Sequence, residues 1–271
     1  MKVLVTGHKG FIGQNLVKYI QANTDWQVNT WEWGDSVFPT VDGNDWVIHL
    51  GAISSTVEQD TDKIKRQNLE FSQRIFEACK RLYVNLQYSS SASVYGLSRN
   101  FTESNTGNPM NHYAWSKFWF ERWIATQDTS KIVQGFRYFN VYGNHEEHKG
   151  TQASPVTQFN NQNPIKLFYN SEQYLRDFIA VEDICRLHVD FIRKVTASGI
   201  WNFGTGRATS FQEVADIISR RNNTCIEYTE MPEILKSSYQ KYTCADLTRL
   251  EDAVGAQRWI SIAEWLDKYK L

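Results

Sequence analysis

The first thirteen residues leave this chain few ways to fold. Val3-Leu4-Val5 is a short apolar run that stops at Thr6-Gly7, the pattern of a strand buried on both faces. Glycines follow at Gly7, Gly10 and Gly13, and Ile12, Leu16, Tyr19 and Ile20 then recur on one helical face. A strand that ends in a glycine turn and feeds a helix offers bare backbone N–H groups and the positive end of a helix dipole. A pyrophosphate fits such a turn. The G-x-x-G-x-x-G spacing differs from the commoner G-x-G-x-x-G, and a plain turn between packed elements would look the same. The placement between strand and helix therefore carries the reading. It predicts an α/β fold with a doubly wound parallel sheet and a dinucleotide at the strands' carboxyl ends.

The next segments fit that plan. Trp26 to Trp33 reads as a strand, and Glu32 near its end lies where a dinucleotide site places its ribose carboxylate, roughly twenty residues past the glycines. Asp45 to Leu50 is the next buried strand, with Gly51-Ala52 at its carboxyl end. The stretch from Gly34 to Asn44 is short for a βαβ crossover, so one element is expected to be trimmed here. From Asp62 to Leu82 the apolar positions Ile64, Leu69, Ile75, Phe76, Cys79 and Leu82 follow a helical period, with Asn68 among them. Val84 to Ser89 forms a strand and runs into Ser90-Ser91-Ala92-Ser93, which is either a hydroxyl cluster beside the crevice or ordinary turn chemistry. Tyr113 and Lys117 then share one face of a helix that opens at Tyr113 and runs to about Gln127. A phenol is a poor base near neutral pH, its reference pKa being about 10. A neighbouring ammonium favours the phenolate, and a serine hydroxyl can hold the oxygen whose proton moves.

Composition excludes several other functions. The 271 residues can bury a large core, as one large domain or two interlocked ones. A formal charge of −1 gives no reason to expect nucleic acid or an anionic membrane as partner. No signal peptide precedes the first strand, and no apolar run is long enough to span a bilayer. Cys79, Cys185, Cys225 and Cys244 are scattered, which fits a reduced cytoplasmic setting. His145 and His148, with Glu146 and Glu147 between them, lack a third convincing metal ligand. They are read as part of a substrate loop, and no metal is expected. His8, His49, His112 and His188 share no spacing and are read as packing or surface groups.

The order Gly7/Gly10/Gly13, then Ser91, then Tyr113/Lys117 resembles the extended short-chain dehydrogenase/reductase superfamily of NAD-dependent epimerases and dehydratases. The second half narrows the likeness. Phe136-Arg137-Tyr138-Phe139-Asn140-Val141-Tyr142-Gly143 is followed by His148-Lys149-Gly150, Lys166-Leu167-Phe168, Arg176-Asp177-Phe178 and Asn202-Phe203-Gly204-Thr205-Gly206-Arg207. Ser210 to Glu213 and Ser261 to Glu264 read as capping boxes. This set is most similar to the ADP-L-glycero-D-manno-heptose 6-epimerase family and is dense after residue 132. The Gly-His-Lys-Gly turn also resembles that of GDP-fucose synthases.

The resemblance implies a Rossmann-type dinucleotide domain over 1–140, with a returning segment at about 176–200. A smaller α/β substrate domain would take 141–175 and 201–271. It implies Tyr113 and Lys149 as two bases, with Ser91 and Lys117 as helpers. Phe11, Ile12, Glu32, Asn68 and Val141 fall on cofactor positions, beside Gly7, Lys9, Gly10, Gly13, Leu50, Gly51, Ala52, Tyr113 and Lys117. Ser91, Asn140, Thr151, Phe168, Asn170, Ser171, Arg176 and Tyr239 fall where the family holds a nucleotide-diphosphate sugar. Arg176 could clamp the diphosphate with its planar fork of donors. It could instead pair with Glu172 if its segment were helical, though the apolar run after it reads as a strand. The family departs from this sequence at Gln158 and Ser238 and in the short region after Glu32. Lys9 could attract a 2′-phosphate that Glu32 repels, and because the resembling epimerases use NADP despite an acidic residue at that position, the expected cofactor is NADP, with NAD the alternative. A homo-oligomer is expected. The implied activity is epimerisation of a nucleotide sugar by transient oxidation to a ketone. A reductase or dehydratase is the first alternative, although Ala92-Ser93 stand where a dehydratase usually carries Asp-Glu. A non-catalytic dinucleotide sensor is the second.

Overall fold

The computed structural model describes residues 1–35, 38–105, 107–233 and 240–268, so Ser238 and Tyr239 lie outside the described residues. The N-terminal apolar run forms β1 (Lys2–Thr6), with Val3, Leu4 and Val5 all buried. It pairs in parallel with β2 (Gln27–Trp31) on one side and β3 (Trp46–His49) on the other. β4 (Asn85–Ser91), β5 (Val133–Tyr138) and β9 (Gly199–Phe203) extend the sheet, giving the order β2-β1-β3-β4-β5-β9. Every pairing in it is parallel.

Parallel neighbours need crossovers, and the helices supply them. α1 (Phe11–Asn23) and α6 (Val181–Lys194) cover one face through Leu16, Ile20, Cys185 and Val189, packed on Val3, Val5 and Ile48. The expected helix over 62–82 is one helical run in three parts: α2 (Thr61–Ile64), a π-helical turn (Lys65–Glu70) and α3 (Phe71–Leu82). α3 packs on the other face, against Leu4, Val47 and Leu86, with the end of α4 (His112–Ile124) beside it.

The expected trimming is visible between β2 and β3. The Rossmann order 3-2-1-4-5-6 lacks its outermost strand here, and β2 is the sheet edge. Among the described residues no helix joins β2 to β3. Val41 and Phe38 fill the space with Trp31, whose ring stacks on Phe71 of α3 at 5.0 Å.

A second layer is built from shorter strands. β6 (Asn140–Tyr142) pairs in parallel with β8 (Leu175–Ala180), which pairs antiparallel with β10 (Ala208–Ser210). β7 (Ile165–Phe168) pairs in parallel with β11 (Ile226–Thr229). α5 (Pro155–Asn160) and α7 (Phe211–Asn222) close this layer over a core of Tyr142, Val156, Phe178, Val214, Ile218 and Trp265. Arg176 therefore lies on a strand, and Glu172 lies in a separate 3-10 turn, Ser171–Gln173. The chain returns to the large sheet through α6 and β9, 181–203, whereas 175–180 pairs within the small layer. The Ser261 box forms in full, Ser261 and Glu264 bonding each other's backbone N–H groups; at Ser210 only the N-cap half forms, its Oγ accepting from the Glu213 N–H at 3.0 Å, while the Glu213 carboxylate turns to Arg207 at 2.7 Å. No helix among the described residues is long and apolar enough to cross a membrane.

Candidate active site

The glycine turn is fixed by contact between backbones. Gly7 has φ +76°, and a Cβ there would come within 2.5 Å of the Gly51 nitrogen at the end of β3. A Cβ on Gly13 would lie 2.1 Å from the Gly7 carbonyl oxygen. Gly10 caps α1 with no side chain over the first-turn N–H groups, which leaves them to a ligand. His8 Nδ1, in the same turn, is buried and has no hydrogen-bond partner among the described residues. An uncovered helix end, close-set backbone and an orphaned buried nitrogen together suit the pyrophosphate of a dinucleotide.

A cavity of about 220 Å³ opens beside this turn. Gly7, Gly10, Phe11, Ile12 and Gly13 line one wall, and Leu50 and Ala52 another. Tyr113 and Lys117 reach it from α4, and Lys149 from the loop after β6. Gly51 contributes its backbone behind Gly7. Asn68 acts at one remove. It is buried, accepts from the Ile53 N–H at 2.8 Å, and donates to the Ile53 carbonyl and Ser116 Oγ at 3.0 Å each. The π-helical turn thus pins the loop after β3 to the tyrosine helix.

Glu32 and Lys9 do not compete as their types alone imply. Glu32 Oε2 accepts from the Lys9 backbone N–H at 3.0 Å, so the carboxylate sits against the glycine turn. The Lys9 ammonium turns instead to Asp35 Oδ1, also at 3.0 Å. Asp35 accepts from the Glu32 N–H as well, and the Lys9 bond is the larger cause holding its carboxyl below the usual range.

The three serines ending β4 have separate partners. Ser89 receives the Lys117 ammonium, through its carbonyl at 2.8 Å and its hydroxyl at 3.1 Å. Ser90 Oγ donates to Glu121, one turn beyond Lys117. Glu121 forms a buried ion pair with Arg137 at 2.7 Å. Ser91 Oγ accepts from the Ser93 N–H at 3.1 Å. The expectation that Lys117 lowers the phenol's pKa is corrected here. Burial raises it, and the nearby Ser91 hydroxyl partly offsets that rise. Lys117 lies 6.0 Å from the Tyr113 ring centroid with its ammonium bonded to Ser89. Burial also brings Lys117 down to about 8, against an opposing pull from Glu121.

A wider cavity, about 650 Å³, continues past Ser91 and Tyr113 to Asn140, Val141, Lys149 and Glu146. Lys149 belongs to an irregular 3-10 segment, Glu147–Gln152, in which Gly150 has φ 52°. Its ammonium lies 3.3 Å from Glu146 Oε1 and 4.5 Å from the Phe11 ring centroid. Gln158 braces the loop from α5 by donating to the Thr151 and Ala153 carbonyls. Other expected substrate residues do not line this cavity. Thr151 is exposed on the loop, and Phe168, Asn170 and Ser171 follow β7. Ser171 is buried and donates to Gln212 Oε1 at 3.0 Å. Arg176 is buried, with its guanidinium 5.4 Å from the Phe211 ring centroid and a bond to the Leu175 carbonyl. Sequence reasoning named neither Ser89 nor Tyr138 as a site residue; it placed Glu146 and His148 on a substrate loop, in preference to a metal site, without a role for either, and both line the wider cavity.

This arrangement defines a Rossmann-type enzyme with a serine, tyrosine and lysine set against a dinucleotide cradle. The chain belongs to the NAD dependent epimerase/dehydratase family, whose profile it matches over residues 3–204. It is 33% identical to an ADP-L-glycero-D-manno-heptose-6-epimerase of Brachyspira hyodysenteriae, over 98% of this chain and 96% of that protein. The fold resembles that of the Helicobacter pylori ADP-L-glycero-D-manno-heptose-6-epimerase, with a TM-score of 0.86 at 22% identity, covering 99% of this chain and 94% of the other. It also resembles Thermus thermophilus UDP-glucose 4-epimerase in complex with NAD, with a TM-score of 0.80 at 23% identity and 98% of each chain covered.

Proposed function

We propose that this protein is a nucleotide-sugar epimerase acting on an ADP-heptose-like sugar. One observation carries the reading: a phenol on a helix and an ammonium on a loop line the same cavity as the glycine turn. A reaction that removes and restores one stereocentre needs proton-handling groups for two orientations of the same carbon. When bound, the nicotinamide takes hydride from that carbon and returns it. Tyr113 and Lys149 take the hydroxyl proton and give it back, one for each orientation of the intermediate ketone. Ser91 holds the reacting oxygen near the phenol. Lys117, seated on Ser89, would hold the ribose of a bound nicotinamide cofactor. The likeness to the Brachyspira epimerase at 33% identity supports the substrate class, and Arg176 is retained as a candidate diphosphate clamp.

We read the cofactor as NAD. The Lys9 ammonium of the glycine turn is engaged by Asp35, and Glu32 lies beside it. Two carboxylates near the ribose favour a free 2′-hydroxyl and oppose a 2′-phosphate. This reverses the preference for NADP implied by the resemblance. The four free thiols accord with a reduced, cytoplasmic setting.

The test is incubation with ADP-L-glycero-D-manno-heptose in heavy water, followed by proton NMR. The C6 epimer should appear without solvent deuterium at that carbon. Tyr113→Phe should lower turnover by about 10²–10⁴-fold while NAD still binds. Deuterium at C6, or full turnover in Tyr113→Phe, overturns the mechanism.

A further inference from the structure

Glu146 is 1% exposed, yet both carboxylate oxygens are fully engaged. Oε1 accepts from the Ser154 N–H at 3.1 Å and from the Lys149 ammonium at 3.3 Å. Oε2 accepts from the hydroxyls of Ser154 and Thr157, each at 2.6 Å. We propose that Glu146 is a positioning residue that holds the Lys149 side chain against the wall of the reaction cavity. The inference rests on the reading of Lys149 as the second proton-handling group.

Three of the four donors to Glu146 are neutral. A buried carboxylate held only by neutral donors still lacks a counter-charge, and burying such a charge is costly. Lys149 supplies the counter-charge. The Phe11 ring holds the ammonium from a second direction by cation–π attraction. Two directional contacts thereby place Nζ on a segment whose backbone is irregular. The other charged or titratable groups around the cavity are His148 on the same loop, Tyr113 and Lys117 on α4, Tyr138 at the end of β5, Lys63 on α2 and Glu58 just before it. Of these, none forms an ion pair with Lys149. The competing account is that Glu146 merely ties the loop to Ser154 and Thr157 at the start of α5. That account gives its charge no influence on Lys149.

Glu146→Gln separates the two. The amide is isosteric, and the Ser154 and Thr157 hydroxyls can rotate to accept from it, so the loop keeps its bonds and loses only the charge. Competitive acetylation with acetic anhydride, read by mass spectrometry on the Lys149 peptide, needs neither substrate nor cofactor. At about pH 8 the Lys149 labelling rate should rise severalfold in Glu146→Gln, because the amine loses the carboxylate that ties it to the cavity wall and becomes more open to the reagent. Ser154→Ala removes a bond to the same carboxylate but leaves its charge, and should leave the rate unchanged. If Glu146→Gln does not fold, Glu146→Asp, which withdraws the carboxylate by one methylene, should give a smaller rise. In turnover, Glu146→Gln should lower kcat with little change in KM, and should add nothing in a Lys149→Ala background. Unchanged labelling in the Glu146 variants, or an equal rise in Ser154→Ala, overturns the proposal. If labelling responds as expected but no epimer forms, the functional reading fails and the clamp stands. If epimer forms and labelling does not respond, the clamp fails and the functional reading stands.

Discussion

Tyr113 and Lys149 reach one cavity, but they are held in opposite ways. Tyr113 stands in the first turn of α4, a helix capped by Asn111 and packed beside a parallel sheet. Its backbone position follows from regular hydrogen bonding, and Lys117 one turn on is bonded to the end of β4. Lys149 stands on an irregular 3-10 segment, its N–H bonded to the Glu146 carbonyl at 2.9 Å, and its side chain is placed by a buried carboxylate and an aromatic ring. A regular element fixes a side chain largely through its backbone, whereas an irregular one leans on side-chain contacts. On the helix side desolvation also raises the phenol and lowers Lys117 to about 8.

Two glycines test that contrast most severely. Gly13→Ala forces a Cβ to 2.1 Å from the Gly7 oxygen, with backbone on both sides and no flexible atom to give way. We expect a loss of about 3 kcal/mol or more, at the upper end for overpacking, and loss of measurable NAD binding by tryptophan fluorescence. Gly150→Ala on the loop meets nothing within 4 Å but must hold φ +52°. Because φ 52° with ψ −121° is a conformation glycine adopts and alanine avoids, it should cost about 1–3 kcal/mol and leave NAD binding intact. Equal effects at the two positions would break the contrast between backbone-fixed and side-chain-fixed halves.

Acid should weaken the sheet half first. His49 bonds Thr6 and Ser72, and His188 bonds Tyr138 and Gln87, all inside the protein. Burial, with a smaller push from Lys117 on His49, lowers each imidazole to about 3. Below the unfolded value of about 6.5 the unfolded chain takes up protons that the native state refuses. Stability is therefore complete above that pH and falls as pH drops from about 6.5 towards 3, by up to ~1.4 kcal/mol per pH unit for each histidine. Urea unfolding at a series of pH values measures the slope. His49→Gln, which can still bond Thr6 and Ser72, should halve the slope contributed by the two histidines, and an unchanged slope would mean that the imidazole is charged in the native protein.

Much of the sheet half is readable in the sequence because its signals are local. The glycine spacing, the serine run and the Tyr113/Lys117 interval each concern neighbours in the chain. The short span after Glu32 showed directly that a crossover element was missing. The loop half is hardly readable. Glu146 looked like one acid in a His-Glu string, and only the tertiary structure reveals that Ser154 and Thr157 bury it. The expected lowering of the Tyr113 pKa failed for the same reason, since the degree of burial is not written in a four-residue interval. Asn68 was placed correctly on its helix, but its amide is spent on Ile53 and Ser116, contacts 15 and 48 residues away. Lys9 looked free because nothing in the glycine turn reveals that Asp35 folds back to meet it.

The smallest expected effect tests whether the helix alone seats the phenol. Asn111 Oδ1 accepts from the Ala114 N–H at 2.8 Å and so satisfies one of the open donors in the turn that carries Tyr113. Asn111→Ala should cost about 1 kcal/mol, a fall in Tm of about 2–4 °C for a chain of this size. Lys117, a turn further in and bonded to Ser89, should keep its place. The damage should thus appear as a lower kcat with NAD affinity unchanged, because only the first turn frays. If Asn111→Ala lowers Tm as expected but leaves kcat untouched, the phenol is held by the side chains around it, Ser91 among them, and not by the helix. The two proton-handling groups would then be positioned alike, each by a side-chain partner.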